Sequence, residues 1–169
     1  MAIGKRWTEQ IEITVDGALL NAETMSDLVD VIVENSLHLP DMFIIRLHDD
    51  EFKAIDEEMF KPGAKVVIKL PKDEESESTN KVISGEITAV EPEFTEGLTT
   101  MLIVRGYDHR HRLLRGTKTR VFIQMTDSDI VQKIGSEAGF SVQAEGTSEV
   151  YDHVFQTAQT DLEFLYERA

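Results

Sequence analysis

The densest run of chemistry-bearing side chains is Arg105–Arg120, RGYDHRHRLLRGTKTR. It holds six of the 17 basic residues (Arg105, Arg110, Arg112, Arg115, Lys118 and Arg120) and a single acid, Asp108. The rest of the chain carries 11 basic and 31 acidic residues. A cationic strip on a chain of formal charge −15 suits docking, because opposite charges across an interface fix register and exclude wrong partners. Arg105, Arg110, His111, Arg112 and Arg115 are therefore the candidate interface residues, set against acidic segments of a neighbour. The plainer reading is a solvated hairpin face. Nucleic-acid binding fits poorly, since Tyr107 is the one aromatic residue of the strip and the chain as a whole is acidic.

Other chemistry is weakly supported. His109 and His111 would share a face on a strand and could share a metal, but no third ligand stands at a usable spacing; His153 is far along the chain and Asp108 would point the other way. No metal and no cofactor are expected. Acid pairs such as Asp49-Asp50, Glu57-Glu58 and Glu74-Glu75 are numerous, and adjacent carboxylates do not converge on one bond as glycosidase chemistry requires. The sequence has no G-x-S-x-G, no phosphate-binding P-loop and no H-E-x-x-H. It carries no enzyme signature, and a structural role without catalysis is expected.

Composition bounds the rest. At 169 residues the chain is long enough for one or two domains with a real core. The excess of 32 acidic over 17 basic residues argues against binding nucleic acid or an anionic membrane. No apolar run approaches the length of a transmembrane helix, and Met1–Gln10 lacks the apolar stretch of a signal peptide. Without cysteine there are no disulfides, thiolate ligands or cysteine nucleophile, which fits a cytosolic or particle-assembled protein.

The elements that must position the strip are mostly strands. Ile11–Val15 alternates with period two and is followed by the turn signal Asp16-Gly17. Val29, Val31 and Val33 mark one face of the run from Leu28 to Leu37, and Phe43, Ile45 and Leu47 do so after Pro40-Asp41. Further strands are expected at Lys65–Leu70, Lys81–Val90, Leu98–Tyr107, His111–Leu114 and Thr119–Gln124, with one short helix in Glu51–Phe60 closed by Pro62-Gly63. Lys72–Asn80 has no apolar residue and reads as a mobile loop or hairpin, or one that orders against a neighbouring subunit. Seven or eight strands punctuated by turns make a barrel or sandwich. After Gln124 the pattern changes. Thr126-Asp-Ser-Asp129 and Thr160-Asp-Leu-Glu163 are capping boxes that open two helices, Gly139 ends the first, and short strands are expected at Ser141–Ala144 and Tyr151–Phe155. The final helix runs to Glu167-Arg168-Ala169 with no stop signal, and little is expected for its apolar face to pack on, so the sequence reads as cut short.

Leu102 to Ala169 resembles the phage late-control protein D family, which includes valine-glycine-repeat spike proteins and hubs of contractile injection systems. The resemblance is carried by Gly106-Tyr107-Asp108 with His111-Arg112-Leu113, then Met125–Ile130, Tyr151–Gln156 and Gln159–Leu165. Upstream, Ser36–Phe43 is similar to the amino-terminal strand pair of extracellular injection-system hubs, which favours that kind of particle over a phage tail or type VI apparatus.

The resemblance implies a mainly β chain with a smaller α+β part: a tail-tube-like β-barrel over residues 1–124, followed by an inserted α+β unit over 125–169 that begins a longer family region. It implies a homotrimer whose barrels form a pseudo-sixfold adaptor between a hexameric inner tube and a trimeric spike. The implied partners are sister copies, the inner tube protein, baseplate and spike-tip proteins, and effector cargo. The implied location is the cytoplasm during assembly and then the particle, which can be released. The alternatives are a phage baseplate hub whose cell-wall-degrading module lies outside this chain, and an effector-binding module.

Overall fold

The computed structural model describes residues 11–50, 52–56, 59–71, 79–94 and 100–169. It divides into two compact units, Met1–His109 and Arg110–Ala169.

The first unit is a sheet of seven antiparallel strands: β1 (Glu12–Val15), β2 (Ala18–Leu19), β3 (Leu28–Glu34), β4 (Met42–His48), β5 (Lys65–Pro71), β6 (Thr79–Phe94) and β7 (Thr100–Asp108), in the order β2-β1-β5-β6-β7-β4-β3. Asp16-Gly17 makes the two-residue turn between β1 and β2, with φ of 48° and 85°. Positive φ at both positions gives the turn the twist of the flanking strands, which is why Asp-Gly serves there. The long β6 pairs with β5 through its first half and with β7 through its second. Register shifts at Ile68/Lys69 and Ile87/Ala89 bend it between the two partners. Ile13 and Val15 of β1 therefore share one core with Phe43, Ile45 and Leu47 of β4, Val66 and Ile68 of β5 and Leu102 and Val104 of β7, and Val31 and Val33 of β3 pack against it. The sheet curls around this core, but among the described residues its hydrogen-bonded ladder ends at β2 and β3 and does not close.

Two short helices lie in the connections. Helix α1 (Ala22–Ser26), which the sequence reading does not anticipate, is capped by Asn21, whose side chain accepts from the Thr24 N–H at 2.8 Å. Helix α2 (Lys53–Asp56) falls in the expected Glu51–Phe60 segment, of which Glu51, Glu57 and Glu58 lie outside the described residues. Of the expected loop, Thr79 and Asn80 already belong to β6, and residues 72–78 are not among those described.

In the second unit, β8 (Lys118–Met125) pairs antiparallel with β9 (Tyr151–Gln159), and helices α3 (Asp127–Glu137) and α4 (Asp161–Arg168) follow the two strands. An isolated two-stranded ribbon is marginal, so one face must be covered. Phe122 and Val154 on that face join Leu113, Ile130, Ile134, Leu162 and Phe164 in a second core, with Phe122 stacked on Phe164 at 5.6 Å.

Four expectations are corrected here. The strand expected at Thr119–Gln124 pairs with β9 and not with the large sheet, and it lies in the compact unit that begins at Arg110. His109–Leu114 is a 3-10 helix, not a strand; Leu113 turns into the second core, which a strand continuing β7 would not do. Ser141–Ala144 has no strand partner, because β8 takes β9; Phe140 and Val142 pack on helix α3 instead. The apolar face of α4 is covered, since Leu162 and Phe164 are core residues. The helix signals stand as read. Thr126 and Thr160 each accept from the N–H three residues on, Asp129 and Glu163 return the bond, and Gly139 (φ 80°) ends α3 with Phe140 N–H donating to Gly135 C=O at 2.8 Å.

Candidate assembly surface

The structure does not gather the five candidate residues into one patch. Arg105 lies on β7 in the first unit, where its Nε donates to Glu91 Oε2 on the neighbouring β6 at 3.3 Å. The other four lie in or just after the 3-10 helix. Arg110 Nη1 donates to the Tyr166 hydroxyl of α4 at 3.3 Å. Arg112 Nη1 donates to Ala138 C=O at the C-terminus of α3 at 3.4 Å, and its guanidinium lies 5.9 Å from the Phe140 ring centre. A cation at a helix C-terminus meets the negative end of the helix dipole, so Arg112 serves this unit's own fold. Arg115 and His111 are brought together: Arg115 Nη2 is 3.0 Å from His111 Nε2. An arginine can only donate, so Nε2 is the bare nitrogen of that ring. Arg115 is exposed, the others half-buried.

At three residues per turn, His109 and His111 point to different sides of the 3-10 helix, and His109 Nδ1 lies 3.3 Å from Glu86 Oε1 on β6. Among the described residues no three His, Asp or Glu side chains converge as metal ligands do.

The remaining cations of the strip are turned inward by a hub that the sequence reading does not find. Asp161, the first residue of α4 and 4% exposed, accepts from Lys118 Nζ at 2.6 Å, Arg120 Nη2 at 2.6 Å and Gln156 Nε2 at 3.0 Å. Gln156 accepts from Arg120 Nε at 2.7 Å, and Arg120 also pairs with Glu137 of α3. Burial alone would push the Asp161 carboxyl up; the hydrogen bonds from Lys118 and Gln156 and the charges of Arg120 and Lys118 outweigh it and hold it below the ordinary carboxylate range. Lys118 and Arg120 thus fasten the ribbon to α4 and are not available as docking charges.

What is left outward is apolar as well as charged. Leu37 and Leu39 in the β3–β4 turn are 84% and 61% exposed, and Ile123 and Phe155 on the outer face of the β8–β9 ribbon are 63% and 65% exposed. In the first unit, β3 is an outer strand of the large sheet among the described residues.

The chain is similar to the 43 kDa tail protein of prophage MuSo2 from Shewanella oneidensis, with a TM-score of 0.65 and 16% identity over 94% of this chain and 46% of that one. It is similar to the E. coli c3393 protein, a type VI secretion component described as structurally similar to the T4 tail proteins gp27 and gp5, with a TM-score of 0.57 and 15% identity over 81% of this chain and 41% of that one. A tail protein from Neisseria meningitidis MC58 gives a TM-score of 0.52 at 14% identity, over 92% of this chain and 43% of that one. The chain spans less than half the length of each of these structures. At such identities the shared property is the fold, that of these phage-tail-like proteins. Residues 7–169 match the model of the Alg8 N-terminal domain, and the chain belongs to that family. No curated protein matches it in sequence.

Proposed function

We propose that the chain is a structural building block of a phage-tail-like contractile particle. In this reading three copies contribute to a pseudo-sixfold hub between the inner tube and the spike, and nothing is turned over. The observation that carries the reading is the large sheet: its fold is shared with two tail proteins and a type VI secretion component, and among the described residues its ladder ends at β2 and β3 instead of closing. Unclosed edges invite pairing with another chain, and heterologous contacts of that kind close into rings. The partners are sister copies, the inner tube, baseplate and spike-tip proteins and effector cargo, and the protein passes from the cytoplasm into the particle.

Arg110 and Arg115, with His111, dock against acidic segments of a neighbour, and Arg105 contributes from the first unit. Arg112 is left out of the test because it caps α3. With Arg110→Glu and Arg115→Glu combined, particle assembly in producing cells should fall at least tenfold, as counted by electron microscopy, while the far-UV circular dichroism of the purified chain is unchanged. Normal particle numbers with the doubly reversed chain would remove these residues from the interface.

A further inference from the structure

The two halves of the second unit are built to one plan. Strand β8 leads into α3 and β9 into α4, and the corresponding residues (Gln124 and Ala158, Thr126 and Thr160, Asp127 and Asp161, Asp129 and Glu163) stand 34 positions apart. Each strand carries a residue in the left-handed region two positions before the threonine cap, Gln124 at φ 51° and Ala158 at φ 50°. Residues with a side chain seldom adopt that conformation, so its recurrence at matched positions marks a shared requirement of the strand-to-helix corner. After each cap come an aspartate at the first helical position, an acid at the third that returns the capping bond, and a buried apolar residue at the fourth, Ile130 or Phe164. The register agrees with a local twofold relation. Val121 and Phe155, themselves 34 positions apart, face each other in the ladder, and the same relation exchanges Phe122 with Gln156, both fully buried.

The ties between the halves run both ways. Asp127, the first residue of α3, accepts from Arg168 Nε in the last turn of α4 at 2.7 Å and from the Tyr151 hydroxyl at the start of β9 at 3.1 Å. The Arg168 guanidinium also lies 4.9 Å from the Tyr151 ring centre. Asp161, the first residue of α4, accepts in turn from Lys118 and Arg120 of β8, and Arg120 reaches the last residue of α3 through Glu137. Each helix therefore starts on an aspartate whose charge is met by a cation of the other half.

We infer that the second unit is a pair of like strand–helix modules closed by a reciprocal clamp, a conformational device in which neither module opens without the other. Releasing the clamp at the start of one helix releases the other helix as well, so the unit is held or opened as a whole. The inference stands on the geometry of this unit and does not depend on the particle reading.

Amide hydrogen exchange of the full chain, under conditions where it reports the opening equilibrium, tests the clamp. Asp127→Asn keeps the shape and removes the anion that Arg168 faces. It should accelerate exchange at least tenfold in α3 and by the same factor in α4. Asp161→Asn should reach α3 as it reaches α4, and in the doubly substituted chain the two factors should multiply in both helices. Ala158→Gly keeps the test decisive if an aspartate variant fails to fold. It relieves the left-handed residue of one module without touching either aspartate, and should slow exchange severalfold in α3 as well as in α4. Exchange that changes only in the module carrying the substitution, or factors that stay separate in the double variant, overturns the reciprocal clamp.

Discussion

Gly106→Ala should cost the first unit about 3 kcal/mol, at the upper end of what one added methyl does to a packed core. Phe43 pairs directly with Gly106 across β4 and β7, and its ring fills the place a side chain would take. A Cβ built there would lie 2.2 Å from Phe43 Cζ and 2.3 Å from the backbone oxygen of Glu86. The ring could rotate away only by giving up its own place in the core, and the Glu86 carbonyl is fixed within β6. Gly146→Ala is the internal comparison, since a Cβ there meets nothing within 4 Å. Urea unfolding of the two variants should separate them clearly; equal midpoints would mean that the close approach at Gly106 is not a requirement of the fold.

The second large effect is expected at Asp161. Asp161→Asn keeps the shape but removes the anion on which Lys118 and Arg120 converge. Breaking a buried pair by deleting one partner costs about 3–5 kcal/mol, and the low end applies because Lys118 keeps contact with solvent and Arg120 keeps Glu137. Amide exchange in β8, β9 and α4 should accelerate roughly a hundredfold, by the tenfold per 1.4 kcal/mol relation, with the amides of the large sheet unchanged.

Acid should have the same effect without mutation. Asp161 is held below the ordinary carboxylate range, as are Asp129 and Glu163, each by hydrogen bonds from the backbone N–H and then the hydroxyl of its capping threonine. A carboxyl whose folded pKa lies below its unfolded value of about 4 stabilises the fold above that value, and the contribution is lost as pH falls through the depressed one. The second unit should therefore hold to about pH 4 and weaken below it, and Asp161→Asn should flatten that dependence. A variant that retains the full acid sensitivity of the natural chain would assign the effect elsewhere.

The features that were legible in the sequence are local ones. Asp16-Gly17, the Thr126 and Thr160 boxes and Gly139 each declare a backbone geometry within four residues, and the alternation in β4 and β5 declares a buried face. The features that were not legible depend on distant partners. Lys118 and Arg120 look like solvated cations until Asp161, 43 and 41 residues away, is folded against them. His109–Leu114 is too short for its pattern to separate a strand from a 3-10 turn, and only the burial of Leu113 decides it. The same non-local pairing acts on the candidate interface residues, which lie within eleven positions of one another in sequence: Arg110 and Arg112 use this unit's own Tyr166 and Ala138 as partners.

The proposed role asks the large sheet to complete itself against sister copies, and the direct test is its position in an assembled particle. Electron cryomicroscopy of tail-like particles purified from producing cells, with this chain carrying a small visible tag, should show three tags around the axis where the tube meets the spike. Particles that are complete without the chain, or a chain that sediments away from them as a lone folded monomer, would contradict the account.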